Sequence, residues 1–586
     1  MATNKKKRAK GRAPKRTRSP DSSISSSGGS TLREFLTFIA DDILEPDWLP
    51  AWPPDAYAIT AALLRRTGSY VQLANGYQDR TTKTITAAMA NDIGNRWRTQ
   101  LNAALGGGTH GMRKACPPEV VGWWRQLQQA ARLPLTQAAA NSVTVAAAIN
   151  ICIVADTASV GIGVELGNDP FLAVAEALRE VNRAKSFCFK IQSDKLAVLG
   201  KQHTPQRGCT IRSLSHHLAL YAPVEIKARW WGPYSPAHHD LDVFNLLLLP
   251  WPLKVSAADF KLALSRNGQR NLGDDRDPHR YFDYTPGGED KSPRKFAQRV
   301  MQAIKSAQVH ADQIHGVVFP ELSLTPEEFI AVEEEVVRNK ALLIAGIRGA
   351  GDQSTEHMPV NCCAIQPAGL TAGYDANDRK RWLPTMRCWQ YKHHRWCLDR
   401  GQILQYELGG RLPASHDCWE RVYIGEREVN FVTLADWLTV CVLICEDLAR
   451  QDPVSDVIRA VGPNLVFALL MDGPQLKNRW ASRYASVLAE DPGCSVLSLT
   501  SAGMARRSRP PNGGAADQKS TVIGLWRDAI HGDQQIHLED GHDAVVLSLV
   551  CESFKELAID GRSDSGQAHF PVYAGSYSFK SSAGPA

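Results

Sequence analysis

Residues 438–450 read LTVCVLICEDLAR. The run 440–444 is short and apolar, and it breaks at Cys445 into Glu446 and Asp447. An apolar run of four to eight residues bounded by such a break predicts a buried parallel strand. A side chain just past the carboxyl end of such a strand lies where open α/β folds place ligands and chemistry. Cysteine is also among the most buried residue types, so a lone Cys here would read as core packing.

Working outward, Cys445 has company. Residues 316–324, GVVFPELSL, form a second apolar run that ends in a carboxylate, Glu321. Between the two lies QYKHHR, residues 390–395, with Lys392 behind an aromatic residue. A thiol attacks as thiolate and needs a base and nearby positive charge. Glu321 can take the proton. Lys392 can stabilise the thiolate and then the oxyanion of a tetrahedral intermediate.

FPE at 319–321, YK at 391–392 and ICED at 444–447 occur in this order. In these motifs the sequence resembles the nitrilase, or carbon–nitrogen hydrolase, superfamily over residues 243–553. The ICED form looks most like glutamine-amidase domains and aliphatic-amide members. The resemblance implies a four-layer αββα sandwich. It also implies a cysteine hydrolase that cleaves an amide or nitrile through a thioester, with catalytic Glu321, Lys392 and Cys445 and the Glu446 backbone N–H at the oxyanion. Many members hold a second Glu near the Lys, and Glu407 is the nearest candidate. No metal or organic cofactor is implied, and a homo-oligomer, a dimer or larger, is. One departure is SVLAED at 486–491, where many members carry A-R-A-x-E-N: Glu490 is kept and the Arg is not.

Composition bounds the rest. At 586 residues the chain has room for two or three domains. Its 44% hydrophobic and 22% charged residues are ordinary for a soluble globular protein. No apolar leader opens the sequence, and the longest apolar stretch, 143–155, is too short to span a bilayer. The thirteen cysteines lie scattered without a CxxC pair, which points to free thiols in a reducing cytoplasm. Cys388 and Cys397 flank His393 and His394, but this spacing matches no common zinc pattern.

The basic balance is local. Residues 1–30 hold nine Lys or Arg and one Asp, while the remainder is slightly acidic. Such a tail cannot bury a core and is expected to be disordered. It suits either an electrostatic arm for nucleic acid or another polyanion, or a solubilising terminus.

Residues 31–236 read as a mostly helical domain of unassigned function. Pro–Asp starts and a Gly stop bracket residues 52–70, and residues 117–133 and 169–181 repeat the pattern. LGGGTHG at 105–111 lacks the Lys-Ser/Thr of a phosphate loop and reads as a turn. A junction is expected at 222–240, a hydrolase-like domain over 243–553 and an extension over 554–586. The charged stretch 267–292 is too long for a routine connection and reads as a lid, an interface arm or an insertion. The competing reading is a nitrilase-fold scaffold or sensor in a multi-protein system, bacterial defence among the options, with the helical domain and tail binding partners.

Overall fold

The computed structural model describes residues 30–581 apart from 75–83, 105–112, 161–184, 203–208, 222–225, 232–242, 264–279, 287–291, 350–357, 368, 370–382, 436, 451–453, 509–519 and 563–567. The basic tail, the LGGGTHG turn and the helix expected at 169–181 lie outside the described residues.

Two seven-stranded sheets form the centre of the second half of the chain. The first runs, in spatial order, Cys388–Tyr391, Val360–Gln366, Leu342–Gly349, Gly316–Val318, Val243–Leu248, Ala544–Phe554 and Ala568–Phe579. The second runs Gly532–His537, Val522–Asp528, Ser495–Thr500, Leu465–Leu470, Leu438–Ile444, Glu428–Ala435 and Lys227–Trp231. Their central strands pair in parallel and are buried on both faces, so they read as unbroken apolar runs.

Alternation along each strand divides the core. In Val243–Leu248, Phe244, Leu246 and Leu248 share one face and belong to the same buried cluster as Val440, Val442 and Ile444. Leu247, with Val317 and Leu343, faces outward against Phe296, Val300 and Ile304 of the helix Pro293–Ala307 and Phe329, Val332 and Val336 of the helix Pro326–Arg338. The helices Val454–Val461 and Trp480–Glu490 add their apolar residues to the core around the second sheet. The result is helix on sheet on sheet on helix. Helix Pro326–Arg338 starts with the expected capping box, in which Thr325 and Glu328 satisfy each other's backbone N–H groups.

Two strands pair across the expected boundaries. Lys227–Trp231, placed by its sequence in the helical domain, pairs in parallel with Glu428–Ala435 and completes the second sheet. Within the expected extension 554–586, Ala568–Phe579 pairs along the whole of Ala544–Phe554. Pro571 is accommodated there because that strand is the edge of its sheet.

The N-terminal region is helical through Ala158 and then supplies a hairpin, Ala197–Gly200 with Leu218–Tyr221. Its centre is the helix Ser142–Ala158, in which every residue from Thr144 to Ala158 is buried. This accounts for the apolar stretch at 143–155. Asn150 within it is satisfied by the Ile85 N–H at 3.1 Å. Helix Pro53–Thr67 ends at Gly68, whose φ of 68° is the left-handed conformation that favours glycine after a helix. No helix among the described residues is long and apolar enough to cross a membrane.

The two halves are fastened by a buried ion pair. Arg562 donates to Asp156 at 3.3 Å, to Thr157 Oγ1 at 2.8 Å and to the carbonyls of Ile153 and Leu214. Burial alone would raise the Asp156 carboxyl, but His217 and Arg562 outweigh it and hold it at about 2.

Candidate active site

Glu321 sits on a tight turn past the strand Gly316–Val318. Leu322, which follows, has a φ of 55°. The turn is pinned by the Ser323 and Leu324 N–H groups, each 3.0 Å from the Gly346 carbonyl, and by Ser323 Oγ to the Trp251 carbonyl at 2.8 Å. Gly346 is required by close approach, since a Cβ there would lie 2.5 Å from Glu321 Cα.

Lys392 follows the edge strand Cys388–Tyr391, and its N–H donates to the Asn361 carbonyl at 2.9 Å. Its ammonium lies 2.8 Å from Glu321 Oε1 and 2.7 Å from Glu420 Oε2. Asn361 Nδ2 bridges the same carboxylates, at 2.7 Å to Glu321 Oε1 and 2.8 Å to Glu420 Oε1. All four side chains are buried. Glu321 Oε2 is also buried and has no hydrogen-bond partner among the described residues.

Cys445 is the elbow between the strand Leu438–Ile444 and the turn Glu446–Ala449, at φ 48° and ψ −108°. Such a backbone costs about 1–3 kcal/mol and persists only where its surroundings hold it. The Cys445 N–H extends the parallel ladder to the Leu469 carbonyl at 2.9 Å, and its carbonyl accepts the Leu448 N–H at 3.0 Å. Asp447 ties this elbow to the lysine loop. Its carboxylate accepts the N–H groups of His393 and His394 and lies 3.0 Å from His394 Nδ1.

Burial pushes the Glu321 carboxyl above its ordinary value, and Lys392 opposes that rise. Burial alone would lower Lys392, but Glu321 and Glu420 outweigh it and keep the ammonium charged. The Cys445 thiol is pushed well up by burial and then by Glu321, with Lys392 opposing. Burial thus favours the neutral thiol, and Glu321 and Lys392 act on it with opposite signs.

Glu321 and Lys392 are thus brought together by a direct hydrogen bond, and Cys445 lies within their electrostatic reach. Glu407 is not with them. It is exposed at the end of the Arg400–Gln405 helix, with its carbonyl held by Arg507 at 3.0 Å. The second carboxylate is Glu420, on a small four-stranded sheet of Cys397–Leu398, Cys418–Glu420, Arg280–Tyr284 and Phe260–Leu262. The one signal for it was a carboxylate among the bulky residues of CWERVY, 418–423. Part of the expected insertion 267–292, Arg280–Tyr284, is therefore a strand beside Glu420, and its residues up to 279 and from 287 to 291 lie outside the described residues. Glu490 is exposed, 3.9 Å from Arg527, and takes no part in the site. Among the described residues no group of three His, Cys, Asp or Glu could hold a metal, the Cys388–Cys397 neighbourhood included.

No family profile matches the sequence. No curated protein matches it either. Similar solved structures include Nit3 of Saccharomyces cerevisiae, a member of branch 10 of the nitrilase superfamily, at 11% identity and a TM-score of 0.31 over 53% of this chain and 90% of that one. An amidase from Nesterenkonia sp. is 9% identical with a TM-score of 0.29, over 54% of this chain and 93% of that one. A carbon–nitrogen hydrolase from Helicobacter pylori G27 is 11% identical with a TM-score of 0.29, over 52% and 89%. These likenesses stop at about half of this chain, and the roles of individual residues rest on the geometry above. In its helix–sheet–sheet–helix layers, as in the order of its motifs, the chain from Val243 onward resembles the nitrilase superfamily.

Proposed function

We propose that this protein is a cysteine-dependent hydrolase that cleaves a non-peptide carbon–nitrogen bond, in an amide or a nitrile, through a thioester. The observation that carries this reading is the buried Glu321–Lys392–Glu420 network beside the Cys445 elbow, with Glu321 Oε2 left unpartnered. Buried charges are costly. A scaffold or sensor has no use for an acid, a base and a strained thiol at converging strand ends.

For an amide, Glu321 Oε2 takes the Cys445 proton as the sulfur attacks the carbonyl carbon. A carbon–sulfur bond forms, and the carbonyl electron pair moves to oxygen. Lys392 and the Glu446 N–H stabilise that oxyanion. The oxyanion collapses, the carbon–nitrogen bond breaks, and Glu321 returns the proton to the leaving nitrogen. Water then gives a proton to Glu321 and attacks the thioester, which releases the acid and restores the thiol. Glu420 keeps Lys392 charged and in place while Glu321 changes its protonation state.

Product analysis over amides, nitriles and ureides, with intact protein and Cys445→Ala, tests the proposal. Acid and ammonia or amine should form with the intact protein alone. Equal turnover by both would sink it.

The reading extends to a homo-oligomer acting in the cytoplasm, which sedimentation and fractionation would check. It also extends to residues 1–30, whose Lys and Arg would bind a polyanion with steep salt dependence. Gel shifts at low and near-physiological salt should lose binding when the tail is deleted. Equal binding by the shortened chain would remove that role from the tail.

A further inference from the structure

The small sheet presents one face to the catalytic strand ends, and its side chains are placed by register. Phe282 stands opposite Glu420 in the parallel pair Cys418–Glu420 with Arg280–Tyr284. Tyr284 stands opposite Phe260 in the antiparallel pair with Phe260–Leu262. Residues opposite one another, or two apart on a strand, share a face. Glu420, Phe282, Tyr284 and Phe260 therefore look the same way, and Glu420 reaches the catalytic lysine.

Arg280, opposite Cys418, is the other charged group on that face, and the rest of it is apolar. Phe260 and Phe282 pack in one cluster with Leu322, the neighbour of Glu321, and with Trp396, Met471 and Met504. Tyr284 packs against this cluster, its ring centroid 5.1 Å from that of Phe260. Its hydroxyl is buried and has no hydrogen-bond partner among the described residues. Arg348, Asp259 and, more weakly, Glu321 are the charges that act on it. Burial pushes the phenol well above its ordinary value, so the oxygen carries its proton and is a donor. An unpaired buried hydroxyl costs stability that a phenylalanine would not. The segment that brings it is the charged insertion, not one of the large sheets.

We propose that the Tyr284 hydroxyl is a substrate-binding donor of the Cys445 site, and that the substrate is an apolar amide carrying a hydrogen-bond acceptor which this hydroxyl receives. This rests on the hydrolase reading above and gives it a substrate class. Leu322 and Met471 flank the same wall and would contact the apolar part. A site built to hydrogen-bond a substrate group discriminates strongly against the analogue that lacks it, because its own polar atom is then left unpaired.

The test uses the full chain as wild type, Tyr284→Phe and Cys445→Ala. The substrates are matched pairs that differ in one acceptor, such as phenylacetamide against 3- and 4-pyridylacetamide. The matching 2-chloroacetamides of aniline and of aminopyridine serve as covalent probes of Cys445, read by intact mass. In the wild type the acceptor-bearing member of a pair should be preferred. In Tyr284→Phe that preference should fall by about tenfold or more, carried in KM, with the melting temperature unchanged or raised. Unchanged preference in Tyr284→Phe would overturn the proposal. So would a fall in its melting temperature, which would mean that the hydroxyl has a structural partner. If the wild type neither turns over any pair nor is modified at Cys445, the hydrolase reading fails and this inference fails with it. If the wild type is active and Tyr284→Phe matches it, only this inference fails.

Discussion

The ammonium of Lys392 lies 2.7 Å from Glu420 Oε2, which gives the lysine a second carboxylate besides Glu321. The second contact frees Glu321 to accept a proton without leaving Lys392 unpaired. Glu420→Gln should lower kcat/KM by roughly ten- to a hundredfold, the equivalent of one charged hydrogen bond of about 1.5–3 kcal/mol. Steady-state kinetics beside a circular dichroism spectrum would check it. Wild-type kcat/KM in the variant would place Glu420 outside the machinery.

Glu321 sets a pH dependence with opposite signs for activity and stability. The base form is needed, so kcat/KM should fall as pH drops through a value above the ordinary carboxylate range. A carboxyl whose folded pKa is raised binds its proton more tightly in the folded state. Its contribution to stability is therefore fully present at low pH and fades as pH rises through the folded value. Lys392 is raised too, so its contribution holds through neutral pH and is lost only in strong alkali. Glu321→Gln should thus abolish turnover while leaving the melting temperature at pH 7 equal or higher. A large drop in melting temperature at pH 7 would show that the ionised Glu321 stabilises the fold.

The raised Cys445 thiol has a related consequence. A small neutral alkylator such as iodoacetamide, at neutral pH, should modify the exposed Cys209 before the buried Cys445. Peptide mapping over a time course would show the order. Labelling of Cys445 first would mean that it rests as a thiolate.

Arg562 and the strand Lys227–Trp231 make the helical region part of the hydrolase-like half. Arg562→Ala leaves Asp156 buried without its ion-pair partner and should cost about 3–5 kcal/mol. A chain beginning at residue 237 would uncover the mostly buried strand Glu428–Ala435 as a sheet edge and should aggregate. A chain from 237 that is soluble and active would show that the two halves are separable.

What the sequence made legible follows from burial. Strands buried on both faces, such as Gly316–Val318 and Leu438–Ile444, lie in apolar runs whose polar ends mark Glu321 and Cys445. Lys227–Trp231 was not legible as a hydrolase strand. Its half-buried pattern marks a strand but does not name a partner about 200 residues away. Ala568–Phe579 was hidden by Pro571 and by its exposed edge residues. Glu420 was missed because nearness to Lys392 in sequence favoured Glu407. The strand Cys418–Glu420 reaches the lysine by pairing with Arg280–Tyr284, a long-range contact that no local pattern records.

The central claim is that Cys445 forms a covalent acyl intermediate with Glu321 as its base. Acid quenching of the intact protein during turnover of an amide, followed by intact-mass and peptide analysis, tests it most directly. The account predicts an added acyl mass on the Cys445 peptide, absent in Cys445→Ala and sharply reduced in Glu321→Gln. Continued hydrolysis by Cys445→Ala, or an acyl group carried on any other residue, would contradict it.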